Sequence, residues 1–305
     1  MIRWPYSWRK KEGCPLPIPH LAGLLYWRDC KLENLFIHTA RLPKYGLNDQ
    51  PRKEKVVVSL TTFPARIDAC YYAIKSLMIQ SFKADRIVLW LAESQFPDHK
   101  TGKKMQKLIE RGLEIRYCPE DLRSHKKYFY MLQEQKPDEL VVTFDDDIIY
   151  DYRALERLYK LHQKYPDCVA CQRGHYVLIK NDALASYYDW KICSPEGVAQ
   201  PSQFIMPSTG GGCLYPYHVM PESTFDVELI KKYAFTADDI WMFFNRLRTN
   251  TYAIKVAEKI PILCTVNKSQ KEALTVINDI GGQNQKVIDL LVTVFPDALK
   301  KLIDN

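Results

Sequence analysis

The sequence predicts an α/β fold: one domain built on a mostly parallel sheet flanked by helices, with residues 1–50 as an N-terminal extension and a C-terminal elaboration within residues 51–305. Two observations carry this. Between Lys55 and Phe144, β-branched apolar runs alternate with segments of helical period, the pattern of βαβ units with right-handed crossovers. The runs "VVV" and "IVLWL" are apolar without alternation, as in strands covered on both faces. With 305 residues, 47% hydrophobic and 26% charged, the chain can build a sizeable core.

Residues 1–50 contain several prolines and no clear period, so no regular structure is expected there. "KVVVSLTTF" reads as the first strand, ending in polar residues. "DACYYAIKSLMIQS" places Ile74, Leu77 and Met78 at helical spacing. "DRIVLWLA" is a strand, and "KTGKKMQKLIERG" a helix that Gly112 should stop. "LEIRYC" is the third strand, "SHKKYFYMLQEQ" a helix and "ELVVTF" the fourth strand. "YRALERLYKLHQKYP" is a helix with Leu155, Leu158, Tyr159 and His162 on one face, His162 reading as a half-buried helix residue. Beyond it the pattern is less regular, without repeats or a low-complexity linker.

A net charge of +7 is mild for this length. It does not call for nucleic acid, which is not an expected partner, and it suits an anionic substrate or an anionic membrane surface. The nine cysteines are scattered. Cys168 and Cys171 form a CxxC with no second pair to complete a zinc site, so reduced, mostly buried thiols are expected. That points to a reducing compartment, the cytoplasm. "NKS" at Asn267 matches a glycosylation sequon of the kind that occurs by chance. No apolar run approaches the ~20 residues that span a bilayer, and the N-terminus lacks the apolar core of a secretory signal. "MIRWPYSWRKKEG" mixes Trp4, Tyr6 and Trp8 with Arg3, Arg9, Lys10 and Lys11. Such an arm suits attachment to the inner face of the plasma membrane, or it packs on the domain.

The chemistry concentrates in "LVVTFDDDIIY". Asp145, Asp146 and Asp147 follow an apolar strand and precede two isoleucines, so partial burial sets like charges together and demands a compensating positive charge. Ligands of open parallel sheets bind beyond the carboxyl ends of strands. Asp145 and Asp147 form a D-x-D pair of hard oxygen donors, suited to Mg²⁺ or Mn²⁺ with a bound diphosphate. A solvated acidic turn capping the next helix is the alternative.

Together, "VVVSLTTFPARI", "SHKKYFYML", "TFDDDIIY", "STGGGCLYP" and "TADDIW" resemble the GT-A (Rossmann-like) glycosyltransferases, in particular a bacterial polysaccharide-type subgroup related to family 2. The resemblance covers about residues 55–285. It implies a nucleotide-diphosphate sugar donor, a UDP-sugar in first expectation, a metal at Asp145 and Asp147, and inversion at the anomeric carbon. The expected enzyme is a metal-dependent hexosyltransferase acting on a saccharide or lipid-linked saccharide in surface polysaccharide (capsule or lipopolysaccharide) synthesis.

On this reading Thr61, Thr62 and Pro64 form a turn after the first strand that holds the nucleotide, and Arg66 faces the strand ends, where its planar fork can meet a carbonyl or phosphate. Lys126 and Lys127 would neutralise donor phosphates beside Asp145 and Asp146; a helix first turn disfavours cations, which hints at an anionic ligand. Gly210, Gly211 and Gly212 would wall the sugar or acceptor site, since three glycines in a row are entropically costly and no P-loop follows. Tyr215 and Trp241 could stack on sugar faces, core packing being the other reading. "TADDIW" fits a capping box from Thr236 to Asp239. Inversion needs a base for the acceptor hydroxyl, and the resemblance assigns that to the second aspartate, Asp239, with Asp238 as runner-up. One departure is that no histidine follows "TADDIW" as a further metal ligand, the last being His218. Two competing classes remain at this level: a nucleotidyltransferase, disfavoured because "LTTFPARI" has no glycine, and a non-catalytic sugar-binding protein of the same fold.

Overall fold

A computed structural model describes residues 19–192, 196–256, 263–267, 269, 278 and 281–303. Its first strand, β1 (Lys55–Thr61), explains the lack of alternation in the sequence. Val56, Val58 and Leu60 enter one apolar cluster and Val57 another. The first cluster takes in Ile74, Leu77 and Met78 of helix α2 (Ile67–Met78) and Met105 and Leu108 of α3 (Gly102–Ile109); the second takes in Met131 of α4 (Lys126–Gln133). Both faces of the strand are dry, so both sets of side chains are apolar.

The remaining early strands follow the sequence reading: β2 (Arg86–Ala92), β3 (Leu113–Cys118) and β4 (Glu139–Thr143). Gly112 adopts φ +100 ahead of β3, the left-handed conformation expected of the residue that ends α3. After β4 come β5 (Ile148–Ile149), α5 (Ala154–Lys164), β6 (Val169–Cys171), β7 (Gly174–Tyr176), the hairpin β8 (Ile179–Lys180) and β9 (Ala183–Leu184), β10 (Lys191–Ile192), β11 (Ile205–Pro207) and β12 (Cys213–Tyr215). The chain closes with α6 (Val227–Leu229), α7 (Asp238–Arg248), β13 (Ala253–Lys255), β14 (Cys264–Thr265), α8 (Gln283–Val294) and α9 (Pro296–Ile303).

Seven strands form the main sheet in the order β13-β6-β12-β4-β1-β2-β3. Every neighbouring pair is parallel except those made by β12, which runs against both β4 and β6. From β1 the chain steps to β2 and β3 on one side, then returns to lay β4 on the other. The strand order therefore reverses between β1 and β4, and a crevice opens beyond their carboxyl ends, where α/β sheets take ligands. The loop after β1 carries Thr62 and Arg66; the loop after β4 carries Asp145–Asp147.

Residues 1–50 differ from expectation. Pro19–Thr39 form a helix, α1. Its Asn34 side chain donates to the carbonyl of Thr265 (3.0 Å) and accepts from the amide of Asn267 (2.9 Å). Ile37 packs with Ala69, Ile149 and Val266. The basic-aromatic arm of residues 1–12 lies outside the described residues. Cys168 and Cys171 are buried free thiols, and His162 is buried beside Glu54 (3.2 Å).

Candidate active site

The counter-charge for the three aspartates comes from the chain itself. The turn Pro64–Arg66 after β1 brings the Arg66 guanidinium 3.0 Å from both Asp146 Oδ1 and Asp147 Oδ2. The Thr62 hydroxyl donates to Asp146 Oδ2 at 2.5 Å. Asp146 is buried, and burial, which outweighs Arg66 and Thr62, raises its pKa. For Arg66 the balance falls the other way: burial opposes its charge, but Asp147 and Asp146 hold it protonated.

Asp145 has a different partner. Lys127, in the first turn of α4, sets its ammonium 2.7 Å from Asp145 Oδ1 and 2.8 Å from Asp238 Oδ2. An ammonium buried to 3% exposure would lose its proton alone, but Asp145 and Asp238 push its pKa well up despite that burial. The cation expected to signal an anionic ligand thus already serves two carboxylates.

The antiparallel course of β12 brings its leading loop to the same edge. Thr209 donates its amide to Asp239 Oδ1 (2.8 Å), and its hydroxyl lies 2.7 Å from Asp238 Oδ2 and 2.5 Å from Asp239 Oδ1. The carbonyl of Thr209 accepts from Thr143 Oγ1 of β4 (2.9 Å). Gly210 lies against Asp145 so closely that a Cβ there would fall 1.7 Å from Oδ2. The Tyr150 hydroxyl donates to the Gly210 carbonyl (2.6 Å) and accepts from the Asp145 amide (2.7 Å), pinning the two loops together. Gly212 adopts φ +105 with Phe144 and Gln172 where a side chain would be. Gly211 stands 3.4 Å from the Arg173 Cβ at its own Cβ position.

Asp238 and Asp239 are adjacent but titrate apart. Burial raises both, yet Lys127 and His125 overcome it at Asp238, which is held well below the usual carboxylate range. Asp239 is pushed up to about 7 by burial and by the Asp238 charge, against Lys127 and Thr209. Carboxyls whose environments drive them apart are what acid–base chemistry near neutrality uses. His125 is buried, its Nδ1 2.7 Å from the Tyr128 hydroxyl and its Nε2 2.9 Å from the Ala234 carbonyl. Burial lowers it to about 4, so the ring is neutral.

Several sequence expectations need correction. Trp241 is fully buried and donates its indole to the Thr224 carbonyl (2.9 Å), and Tyr215 is buried in the same apolar cluster, so neither ring face is open to a sugar. Lys126 is buried and paired with Asp121, not with the aspartate cluster. The Thr61 hydroxyl donates to Trp90 O (2.9 Å) along the sheet, and Pro64 is exposed. Thr236 and Asp239 make no capping box: α7 follows Ala237 without a side-chain cap, and Asp239 turns to Thr209. His218 is exposed and packs edge-on against Tyr217. Thr209, Tyr150 and His125 were not singled out from sequence. Their types are common in any strand end or loop, and only the partners they meet across the fold mark them.

Hard carboxylate oxygens on Asp145 and Asp147 fit a divalent cation in ligand type, with the Gly210 backbone as a floor that any Cβ would fill. Among the described residues no group of three or more His, Cys, Asp or Glu side chains is arranged to hold a metal ion, so other ligands would be phosphate oxygens and water.

No protein-family model and no curated protein sequence matches the chain. Among solved structures, a mannosyltransferase from Pyrobaculum calidifontis, in complex with GDP-Man and Mn²⁺, is similar over 92% of this chain and 79% of its own, with 12% identity and a TM-score of 0.42. The chemistry of the site follows from this chain's own side chains.

Proposed function

We propose that the chain is an inverting glycosyltransferase, moving a sugar from a nucleoside diphosphate donor, a UDP-sugar in the first instance, to a saccharide or lipid-linked saccharide. The observation that carries this reading is the Thr209–Gly210 dipeptide. One residue holds Asp239, raised to about 7, and the next lies on Asp145 of the carboxylate cluster at the sheet's reversal point. The residue that holds a base matched to neutral pH and the residue that lies on the site for a charged leaving group are thus neighbours in the chain.

Each group has a part. Asp239 accepts the acceptor's hydroxyl proton on Oδ2, since Oδ1 is occupied by Thr209. Thr209 holds Asp239 in place, and the charges of Asp238 and Lys127 act on its pKa from opposite sides, leaving it where a base is useful. Asp145 and Asp147 would hold Mn²⁺ or Mg²⁺, which when bound supplies positive charge to the departing diphosphate. Arg66 keeps Asp146 and Asp147 in place, and the turn Thr62–Arg66 is the nucleotide's seat. The setting we assign is surface polysaccharide synthesis.

A donor-hydrolysis screen across nucleotide sugars, with Mn²⁺ or with chelator, tests the class. Asp239→Asn should fold and bind donor while losing roughly 10²–10⁴-fold in transfer, the usual worth of a general base. Wild-type turnover in that variant would remove Asp239 from the mechanism. A product of retained anomeric configuration by NMR would overturn inversion.

A further inference from the structure

A surface helix of a globular protein buries one stripe and turns a polar one to water. Helix α1 does not. Its inner stripe, Asn34 and Ile37, is buried against the body. The opposite stripe carries Leu32, Leu35 and Phe36, at i, i+3 and i+4, which are 57%, 62% and 55% exposed. Tyr45, just past the helix, is also exposed. Large apolar side chains grouped on one face form a patch that asks for a partner, where single ones would not.

The charge around the patch identifies the partner. Among residues 28–44, Arg28, Lys31, Arg41 and Lys44 stand against Asp29 and Glu33, an excess of two positive charges. Lys31, Arg41 and Lys44, beside the patch, are exposed. We infer that the outer face of α1 docks on an anionic lipid surface, the helix lying in the plane of the headgroups with Leu32, Leu35 and Phe36 inserted and the basic residues around them. Apolar side chains on one face with cations at its rim are what holds a helix at such an interface. A second copy offering the same face would bring two basic surfaces together. The helix lies on the bilayer and does not cross it: its other face is committed to the body, and no helix among the described residues is long and apolar enough to span a membrane.

The test is co-sedimentation of full-length protein with vesicles of phosphatidylcholine alone and of phosphatidylcholine with phosphatidylglycerol. Wild type should bind the mixed vesicles, more weakly in high salt, and bind the neutral ones much less. The exposed triple variant Leu32→Ser, Leu35→Ser, Phe36→Ser should lose about tenfold or more in partitioning, with an unchanged circular dichroism melt. Amide exchange in residues 28–39 of wild type should slow with anionic vesicles, a readout that needs no variant. Equal binding by the two proteins, equal binding to both vesicle types, or exchange unchanged by lipid would each overturn the proposal. So would a wild-type dimer in sedimentation that the triple variant breaks, which would make the face protein-binding. None of these readouts depends on the glycosyltransferase reading.

Discussion

At the scale of single residues, the site is governed by one hydroxyl proton. Thr209 Oγ1 lies within hydrogen-bond distance of both Asp238 and Asp239 and can donate to only one of them. Lys127 lies against Asp238, so Asp238 stays ionised and Asp239 keeps its proton to about 7. If Asp239 is the base, transfer should rise about tenfold per pH unit below that value and level off above it, and Asp239→Asn should lack the limb. A pH–rate profile flat from 5.5 to 8 would exclude Asp239. Stability carries the same signature with a definite sign. The folded pKa lies above the ordinary 3.8, so this group's contribution is fully present below about 3.8, declines as pH rises to about 7, and is flat beyond. Asp239→Asn should therefore be relatively more stable than wild type above pH 7 than at pH 4, by thermal melts at matched ionic strength. Little of this could be read in "TADDIW". The sequence displays two acids, but what separates them is Lys127, more than a hundred residues earlier, and a threonine hidden among glycines.

Helices and strands show where sequence patterns lose their grip. The early strands were legible because β1, β2 and β4 are buried on both faces along most of their length and carry mainly β-branched and apolar residues. Helix α1 was not, since a helix apolar on opposite faces has no amphipathic period to find. The start of α7 was misread as a capping box because Thr236 and Asp239 have the right spacing, while the fold gives Asp239 a better donor in Thr209. Farther along α7, Arg246 is 1% exposed and donates to the carbonyls of Gln203 (2.9 Å), Ile205 (2.8 Å) and Thr251. Burial lowers it to about 10, so it remains charged at neutral pH. It ties the helix that presents Asp238 and Asp239 to β11. Arg246→Met would remove the guanidinium donor from all three carbonyls, two of them in buried bonds, and should cost about 3 kcal/mol in urea unfolding. A loss below about 1 kcal/mol would mean that water replaces the guanidinium there.

On the scale of the whole molecule, the reversal of strand order at β1 and β4 could be anticipated from alternating strands and helices, and with it the place where the aspartates would matter. The insertion of β12 could not, because "CLY" is too short to declare its neighbours. Yet the site depends on it. The pairing Cys213↔Thr143 joins residues 70 apart along the chain, and with the Tyr150 and Thr143 hydroxyl bonds it sets Gly210 opposite Asp145 and Thr209 opposite α7. Contacts between residues so distant close large loops and form slowly. The consequence concerns time: a nascent or refolding chain holds the aspartate triplet on a formed β1–β4 edge before the far side of the crevice exists. Refolding monitored by far-ultraviolet dichroism and by donor binding should show the ligand signal trailing the backbone signal, and simultaneous recovery would mean that β12 docks with the first strands. Until it docks, the carboxylates stand in water without their floor, so the half-made protein has its acids but not yet the means to use them.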